Sequence, residues 1–260
     1  MPYNTVNYVE DEGIALITLN RPEAMNTLNN EMLDELESLL KRIEENDKLK
    51  VVIITGQEKC FCAGADVREV RKCTTLLEVH YFASKVQRVI NFLEILPKPV
   101  IAALSGVVLG GGFEISLASD IRIAADNAIF GLPEINIGII PGAGGTQRLP
   151  RIIGLTKAKE LLFTGGIIKA DEALRIGLLN KVVPLKDLLN EAKNMALMIA
   201  EKPPVAVKMA KMCLINGLQM NLSQALNYEL RCVEFLFSTE DQKEGMNAFI
   251  EKRKPQFKGR

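Results

Sequence analysis

Three consecutive glycines, followed closely by a carboxylate, are the residues of this sequence whose types and spacing most clearly could do chemistry. They are Gly110, Gly111 and Gly112, and they follow an apolar run over residues 100–104 that is typical of a buried strand. Glycines leave backbone N–H groups uncovered, and at the beginning of a helix these groups lack intrahelical partners and favour negative charge. The segment therefore predicts a site for an oxyanion or a phosphate. The alternative is an ordinary glycine-rich turn.

Two glutamates stand alone in apolar sequence. Glu114 falls one turn into the helical pattern that the glycines begin, and Glu134 follows Pro133 in a loop that leads into further glycines. A carboxylate in apolar surroundings is costly unless it is paired or takes part in chemistry. Both glutamates are therefore candidate acid–base groups, and the alternative for each is a side chain turned to solvent.

A second stretch of small residues, FCAGAD over residues 61–66, lies beyond the apolar strand predicted at residues 51–55. Small side chains again expose backbone N–H groups. In open α/β folds, ligands bind beyond the carboxyl ends of the strands. The segment is thus predicted to lie at the same site as the glycine triplet.

Several other chemistries have little support in the sequence. The odd number of cysteines forms no disulfide framework, and a single histidine is poor for a zinc site, so we predict free thiols and no metal. No G-x-S-x-G, G-x-G-x-x-G or P-loop motif occurs. The residues concerned are His80, Cys60, Cys62, Cys73, Cys213 and Cys232.

The elements that must position these groups alternate between strands and helices, which predicts an α/β fold with a parallel sheet. We expect strands at residues 6–9, 14–19, 51–55, 100–104, 121–125 and 180–183. We expect helices at residues 32–43 (with Asn29 or Asn30 as N-cap), 76–93, 156–163, 170–176, 185–200, 205–216, 221–237 and from about 239 to 252. Residues 67–75 are predicted to be a polar, mobile connection.

The composition indicates a globular protein that can bury a large core. Of 260 residues, 48% are hydrophobic and 25% are charged, and the formal net charge of zero argues against a general nucleic-acid binder. No run reaches the roughly 18 apolar residues of a membrane span, and the first residues resemble neither a signal nor a transit peptide. We therefore expect a cytoplasmic protein that binds neither membrane nor nucleic acid.

Taken together, the motifs resemble the crotonase, or enoyl-CoA hydratase/isomerase, family. The matching text is NRPEAMN, FCAGAD, PVIAALSGVVLGGGFE, DIRIA, FGLPE, GIIPGAGGTQRLPRIIG, KADEALRIGLLNKVV and STEDQKEGMNAFIEKRK, which spans nearly the whole chain. The resemblance implies a crotonase-type core of repeated ββα units that form a spiral, with the acyl-CoA site, over residues 1–202. It also implies a helical trimerisation region over residues 203–260, beyond the boundary that Pro203 and Pro204 suggest.

The resemblance also assigns the chemistry. Backbone N–H groups of Ala65 and Gly111 would form the oxyanion hole for the thioester oxygen of a short-chain trans-2-enoyl-CoA such as crotonyl-CoA. Glu114 and Glu134 would hold a water for reversible syn addition to the double bond, which makes the protein a hydro-lyase. We assign water activation to Glu114 and proton delivery to Glu134.

Coenzyme A contacts follow from the same resemblance. They fall on Ala63, Ala65, Asp66, Val67, Arg68 and Gly111, with Phe249 and Lys252 near the nucleotide, often supplied by a neighbouring subunit. Phe249 could instead only pack the last helix. The resemblance implies no cofactor beyond the CoA of the substrate, no metal, and a trimer or a dimer of trimers. Phe113 departs from many relatives, which carry a smaller or sulfur-containing residue there, and this puts the shape of the acyl pocket in doubt.

Three alternatives stay open on the sequence. An isomerase of the same family needs chiefly the acid at Glu134, so the presence of both glutamates favours hydration. An RNA-binding relative has little support in four tyrosines, no tryptophan and zero net charge. A scaffold without activity would not need the paired glutamates. Within hydration, the charged start of residues 67–80 predicts a preference for C4 to C6 acyl chains.

Overall fold

In a computed structural model, which describes residues 3–260, ten strands form two sheets. The six-stranded sheet has the order β1-β2-β3-β5-β7-β10, and the four-stranded sheet has the order β4-β6-β8-β9. The strands are β1 (Val6–Asp11), β2 (Ile14–Leu19), β3 (Val51–Thr55), β4 (Cys60–Cys62), β5 (Val100–Leu104), β6 (Val107–Leu109), β7 (Ile121–Ala125), β8 (Ile129–Gly131), β9 (Ile167–Lys169) and β10 (Lys181–Val183).

A repeated unit generates both sheets. Strands β3, β5 and β7 enter the larger sheet, and each is followed at once by a short strand, β4, β6 or β8, of the smaller sheet. The pairs β3–β5, β5–β7, β4–β6 and β6–β8 are all parallel, so every turn of the chain advances in the same direction. The predicted α/β spiral of ββα units is therefore confirmed.

Helices occupy the connections and the last part of the chain. They are α1 (Asn30–Glu45), α2 (Val67–Lys72), α3 (Leu76–Ile95), α4 (Gly111–Ala118), α5 (Gly145–Ile153), α6 (Leu155–Thr164), α7 (Ala170–Arg175), α8 (Leu188–Ala200), α9 (Pro204–Gly217), α10 (Leu222–Leu236) and α11 (Glu240–Glu251). None of the helices within residues 3–260 is long and apolar enough to cross a bilayer.

The central strands of the larger sheet, β3 and β5, are buried on both faces, as their wholly apolar sequences predict. Side chains alternate along a strand, so Val52 and Ile54 face the core formed with α1, α3 and α4, whereas Val51 and Ile53 face α8. Helix α8 presents a narrow row of small residues to that face. The row consists of Ala192, Ala196 and Ala200.

Helix starts follow local capping chemistry. Asn29, one of the two predicted N-caps, accepts a hydrogen bond from the Met32 N–H at 2.9 Å. Thr75 begins α3 with a complete capping box, and Thr239 caps α11 as predicted. These side chains satisfy N–H groups that the helix itself cannot pair.

Two sequence predictions were wrong. Residues 67–75 are not simply a connection, because Asp66 accepts a hydrogen bond from the Arg68 N–H at 3.0 Å and begins α2 there. The short strands of the smaller sheet were also missed. A strand of three residues, such as β4 or β6, is too short to show a period of two.

Candidate active site

Helix α4 lies at the centre of the candidate site. Gly110 precedes it with φ 51° and ψ −128°, a positive-φ conformation that favours glycine. All eight residues of the helix are buried. A Cβ on Gly112 would lie 2.3 Å from the Cys62 carbonyl oxygen. The helix therefore begins in direct backbone contact with β4, which only glycine permits.

Two backbone N–H groups lie side by side next to the beginning of α4. Leu28 donates to the Gly64 oxygen at 2.8 Å and accepts from the Asp66 N–H at 2.9 Å, so the Ala65 N–H points away from that pairing. Within residues 3–260, neither the Ala65 N–H nor the Gly111 N–H donates a hydrogen bond. A Cβ on Gly111 would lie 3.6 Å from the Ala65 nitrogen. The two predicted oxyanion donors are thus neighbours and are unpaired.

Glu114 is 3% exposed and is held by a loop that begins beyond β8. Its Oε1 accepts hydrogen bonds from the Ala143 and Gly145 N–H groups, both at 2.7 Å. Burial raises the pKa of Glu114, while the two N–H donors and the Arg148 charge oppose that rise. This carboxylate is therefore fixed in place by partners that favour its charged form.

Glu134 lies in the first turn of a short 3₁₀ helix, Pro133–Ile137, directly after β8. Its Oε2 is buried without a hydrogen-bond partner in the described residues, and its Oε1 lies 3.2 Å from the position of a Cβ on Gly110. Burial, together with the nearby negative charge of Glu114, raises the pKa of Glu134 to about 7. Near neutral pH this acid can hold a proton.

The spiral explains why these groups meet. Ala65, Gly111 and Glu134 each follow a strand of the smaller sheet by two or three residues, namely β4, β6 and β8. These strands are parallel neighbours, so their carboxyl ends meet at one edge of the sheet. The structure thus brings together the oxyanion donors and both glutamates. The two N–H groups can stabilise a negative oxygen beside two carboxyl groups, of which Glu134 can hold a proton near neutral pH.

The predicted CoA segment borders the same edge. The Ala63 N–H donates to the Met25 oxygen at 3.1 Å, and buried Asp66 forms an ion pair with Arg21 at 3.2 Å. The next two side chains, Val67 and Arg68, are exposed. This segment therefore has a fixed backbone and free side chains at the entrance to the site.

Phe249 and Lys252 lie at the end of α11, and the single chain does not connect them to that segment. Phe249 is 84% exposed, so it does not pack its own last helix, which was the alternative interpretation. No hydrogen bond or ion pair within residues 3–260 joins either residue to residues 63–68.

Phe113 is fully buried, and its ring lies 5.7 Å from that of Phe130.

Sequence reasoning missed the residues that support the site. Asn26 is fully buried, has φ 54°, and donates from Nδ2 to the Cys60 and Phe61 oxygens at 3.1 and 3.0 Å. It thereby fixes β4 just ahead of Ala65. The signal was present, because asparagine is among the few residues that readily adopt a positive φ. The N–H donors of Ala143 and Gly145 had no comparable signal.

The cysteines and the histidine lie outside this chemistry. Burial raises the pKa of the Cys60 thiol to about 11 and that of Cys62 to about 12, so both are neutral near pH 7. His80 is exposed on α3, where its ring lies near the Ser84 hydroxyl. No group of three or more potential metal ligands occurs within residues 3–260.

The fold and the site together define an α/β spiral enzyme scaffold in which two unpaired backbone N–H groups lie beside two carboxyl groups. A family model described as enoyl-CoA hydratase/isomerase matches residues 9–260. The chain belongs to this family, as the sequence motifs predict.

Curated relatives and a solved structure agree with this assignment. The chain is 48% identical over 255 residues to the short-chain-enoyl-CoA hydratase of Clostridium acetobutylicum, covering 98% of this chain and 97% of the relative. It is 43% identical over 258 residues to the crotonyl-CoA hydratase of Syntrophomonas wolfei, covering 99% of both chains. The crystal structure of an enoyl-CoA hydratase from Bacillus anthracis matches with a TM-score of 0.96 and 44% identity, covering 99% of this chain and 100% of the other.

Proposed function

We propose that the protein is an enoyl-CoA hydratase, a hydro-lyase that adds water reversibly to a short-chain trans-2-enoyl-CoA such as crotonyl-CoA. The observation that carries the proposal is the juxtaposition of Glu114, Glu134 and two unpaired N–H groups at one edge of the smaller sheet. The names of the most similar relatives support the same activity and the same short acyl length.

In the proposed reaction, the thioester oxygen accepts hydrogen bonds from the Ala65 and Gly111 N–H groups. Glu114 accepts a proton from water as the water oxygen forms a bond to Cβ, and the double-bond electrons move towards the thioester oxygen. The N–H groups stabilise the resulting enolate, and removing one such donor typically costs ~10²–10³-fold in rate. Glu134 then gives its proton to Cα, which leaves a 3-hydroxyacyl-CoA.

The division of roles between the two acids follows from their surroundings. Glu114 has two N–H donors and a nearby guanidinium, which favour the charged form that a base needs. Glu134 has an unpartnered buried oxygen and a pKa raised to about 7, which favours the protonated form that an acid needs. An isomerase would need chiefly Glu134, so the loss of activity on changing Glu114 distinguishes a hydratase from an isomerase.

The test is crotonyl-CoA hydration by wild type, Glu114→Gln, Glu134→Gln and the double variant, followed by loss of enoyl thioester absorbance. Each single change should lower kcat by ~10²–10⁴-fold, the usual scale of general acid–base catalysis. Because both acids act on one water, the double variant should be only slightly worse than the worse single variant. Affinity for CoA esters serves as the control and should persist.

Four results would contradict the proposal. Near wild-type hydration by Glu114→Gln would exclude the two-glutamate mechanism, and selective loss in Glu134→Gln alone would indicate an isomerase. A wild-type protein inert towards every acyl-CoA would indicate a scaffold. Retention on RNA at moderate salt would favour the RNA-binding alternative, against which the zero net charge argues.

The substrate contacts belong to the same proposal. Ala63, Asp66, Val67 and Arg68 would line the entrance for the pantetheine and adenine, and exposed Phe249 and Lys252 would reach the nucleotide of a neighbouring subunit. No cofactor is needed, because coenzyme A is part of the substrate. A preference for C4 to C6 chains remains a prediction, and a rate series with increasing acyl length tests it.

A homo-oligomer, either a trimer or a dimer of trimers, is part of the proposal. Large apolar side chains are exposed along the C-terminal helices, where a single chain leaves them without cover. They include Leu214, Leu218, Leu222, Leu226, Phe235, Phe249 and Ile250. The division into a core at residues 1–202 and an oligomerisation region at 203–260, and a cytoplasmic location, stay predictions.

A further inference from the structure

Arg148, on α5, contacts the same residue that holds Glu114. Its Nη1 donates to the Ala143 oxygen at 2.8 Å, while the Ala143 N–H donates to Glu114 Oε1 at 2.7 Å. The Ala143 backbone thus links the Arg148 guanidinium to the Glu114 carboxylate, so the position of one affects the position of the other. The next N–H donor to Glu114, that of Gly145, belongs to the first residue of α5 itself.

The guanidinium is anchored from a second direction. Its Nη2 donates to Asn91 Oδ1 at 2.7 Å and to Glu94 Oε2 at 2.6 Å, both on α3. The Arg148 side chain is only 12% exposed, so water screens these contacts weakly. Arg148 therefore connects α3 to the loop that carries the N–H donors for Glu114.

The loop is shaped to receive this side chain. Gly144 has φ 109°, and a Cβ at that position would lie 2.0 Å from Arg148 Nη1. The positive φ requires glycine there, and the guanidinium occupies the space that a Cβ would take. The Arg148 guanidinium thus packs against Gly144 within the loop and is not a free surface side chain.

Few charged or titratable groups lie near the Glu114 carboxylate and affect its ionisation. Arg148 faces it from α5 and favours its charged form, and Glu134 is the neighbouring acid from the 3₁₀ turn after β8. Glu94 of α3 faces Arg148 and offsets part of its positive charge. The Cys62 thiol on β4 is buried and neutral near pH 7, because burial raises its pKa to about 12.

We propose that Arg148 is a positioning residue for hydration, which fixes the Glu114 carboxylate through the Ala143 peptide and favours its charged form for water activation. The proposal rests on the proposed hydratase function. In this proposal, Arg148 is the residue that makes Glu114 the base while Glu134 serves as the acid. Glu134 has no comparable cation among its contacts in the described residues.

A purely structural role is the competing explanation, since Arg148 also ties α5 to α3. Both roles predict lower activity when the side chain is removed. They differ in the pH dependence of kcat, because only a residue that acts on the charge of Glu114 moves the acid limb of the profile. Glu114 must be ionised to accept a proton, so a raised pKa moves that limb to higher pH.

The experiment compares Arg148→Met and Arg148→Lys with Arg151→Met as the matched control. Arg151 lies on the same helix, is exposed, and within residues 3–260 its side chain bonds to Gln147 alone. Arg148→Met should lower kcat by up to ~10²-fold, the scale of a misplaced catalytic group, with KM for crotonyl-CoA nearly unchanged. Its acid limb should move to higher pH, and Arg148→Lys should restore the position of the limb. Arg151→Met should match wild type.

Glu94→Gln provides the opposite sign and keeps the test independent of any folding defect in Arg148→Met. Removal of the negative charge leaves the guanidinium less neutralised, so the acid limb should move to lower pH. Shifts in opposite directions support the proposal. An unmoved limb in both Arg148→Met and Glu94→Gln overturns it, as does an equal change in kcat and KM in Arg148→Met.

A titration without substrate separates this proposal from the proposed function. Infrared spectra over a pH series report protonated carboxyl groups, and the difference between wild type and Glu114→Gln isolates Glu114. Its titration should move to higher pH in Arg148→Met even if the protein proves inactive towards enoyl-CoA. An inactive wild type refutes the hydratase proposal, whereas an unchanged Glu114 titration refutes the role of Arg148.

Discussion

At the scale of single residues, the site contains two glutamates whose surroundings differ. Glu114 obtains two N–H donors at 2.7 Å, whereas one oxygen of Glu134 is buried without a partner in the described chain. The two acids therefore have different hydrogen-bond surroundings at one site. An unsatisfied buried oxygen is expensive in a folded protein and is typical of a functional site.

The unpartnered carboxyl of Glu134 should make stability depend on pH. Its pKa is raised from 4.5 to about 7, so the folded state binds this proton more tightly than the unfolded state. The resulting stability is present at low pH and is lost as pH rises from about 4.5 to 7. Glu134→Gln, which does not titrate, should therefore have a higher Tm than wild type at pH 8, and the difference should shrink towards pH 5.

Thermal unfolding at several pH values between 5 and 8 measures this effect. Glu23→Gln is the matched control, because the Glu23 side chain is 71% exposed. Curves of Tm against pH that run parallel for wild type and Glu134→Gln would show that Glu134 is not held protonated by the fold.

At the scale of elements, the site depends on how closely α4 approaches β4. Gly112→Ala would place a Cβ 2.3 Å from the Cys62 oxygen, a backbone atom that cannot move aside alone. Overpacking of this kind costs about 1–3 kcal/mol or more, so we expect a loss of at least ~2 kcal/mol in the free energy of unfolding. Hydration should fall too, because the Gly111 N–H shifts with the helix.

Gly142→Ala is the control for that substitution in chemical denaturation. No atom of the described residues lies within 4 Å of a Cβ at Gly142, so the change should be neutral or stabilise by up to ~1 kcal/mol. Equal unfolding free energies for the two alanine variants would mean that α4 does not require this close contact.

The elements that the sequence predicted well are the long ones. Strand β3 and helix α1 carry several residues of unbroken apolar pattern, and both have the predicted position. The pattern also located Glu114 and Glu134 but not their partners. The Ala143 N–H lies 29 residues along the chain from Glu114, and no local pattern connects the two. Such contacts depend on tertiary packing, which periodicity does not encode.

At the scale of the whole molecule, the C-terminal helices are tied to the catalytic core by one buried ion pair. Lys211 of α9 is 7% exposed and donates to Asp120 Oδ2 at 2.7 Å, just beyond the end of α4. The same oxygen accepts from the Val100 N–H at 2.7 Å, where β5 begins. One carboxylate thus connects α9, the central helix and the larger sheet.

The proposed sharing of a nucleotide site between subunits is tested by Lys252→Ala. A lysine acts as a point charge on phosphate, so its loss should weaken binding of CoA esters much more than binding of pantetheine esters, which lack the nucleotide. Lys254→Ala is the matched control, because Lys254 is also exposed but pairs with Glu201 at 2.7 Å. Equal weakening of both ester classes by Lys252→Ala would refute the assignment.

The way in which successive strands each deliver one group has a consequence for tolerance to insertions. Ala65, Gly111 and Glu134 are held at a spacing set by neighbouring strands, which lie roughly 4.8 Å apart in any sheet. The lengths of the segments between the strands do not enter that spacing. The chain between β4 and β5, which forms α2 and α3, can therefore lengthen or shorten at its turn near residues 73–75 while the reacting groups keep their separation.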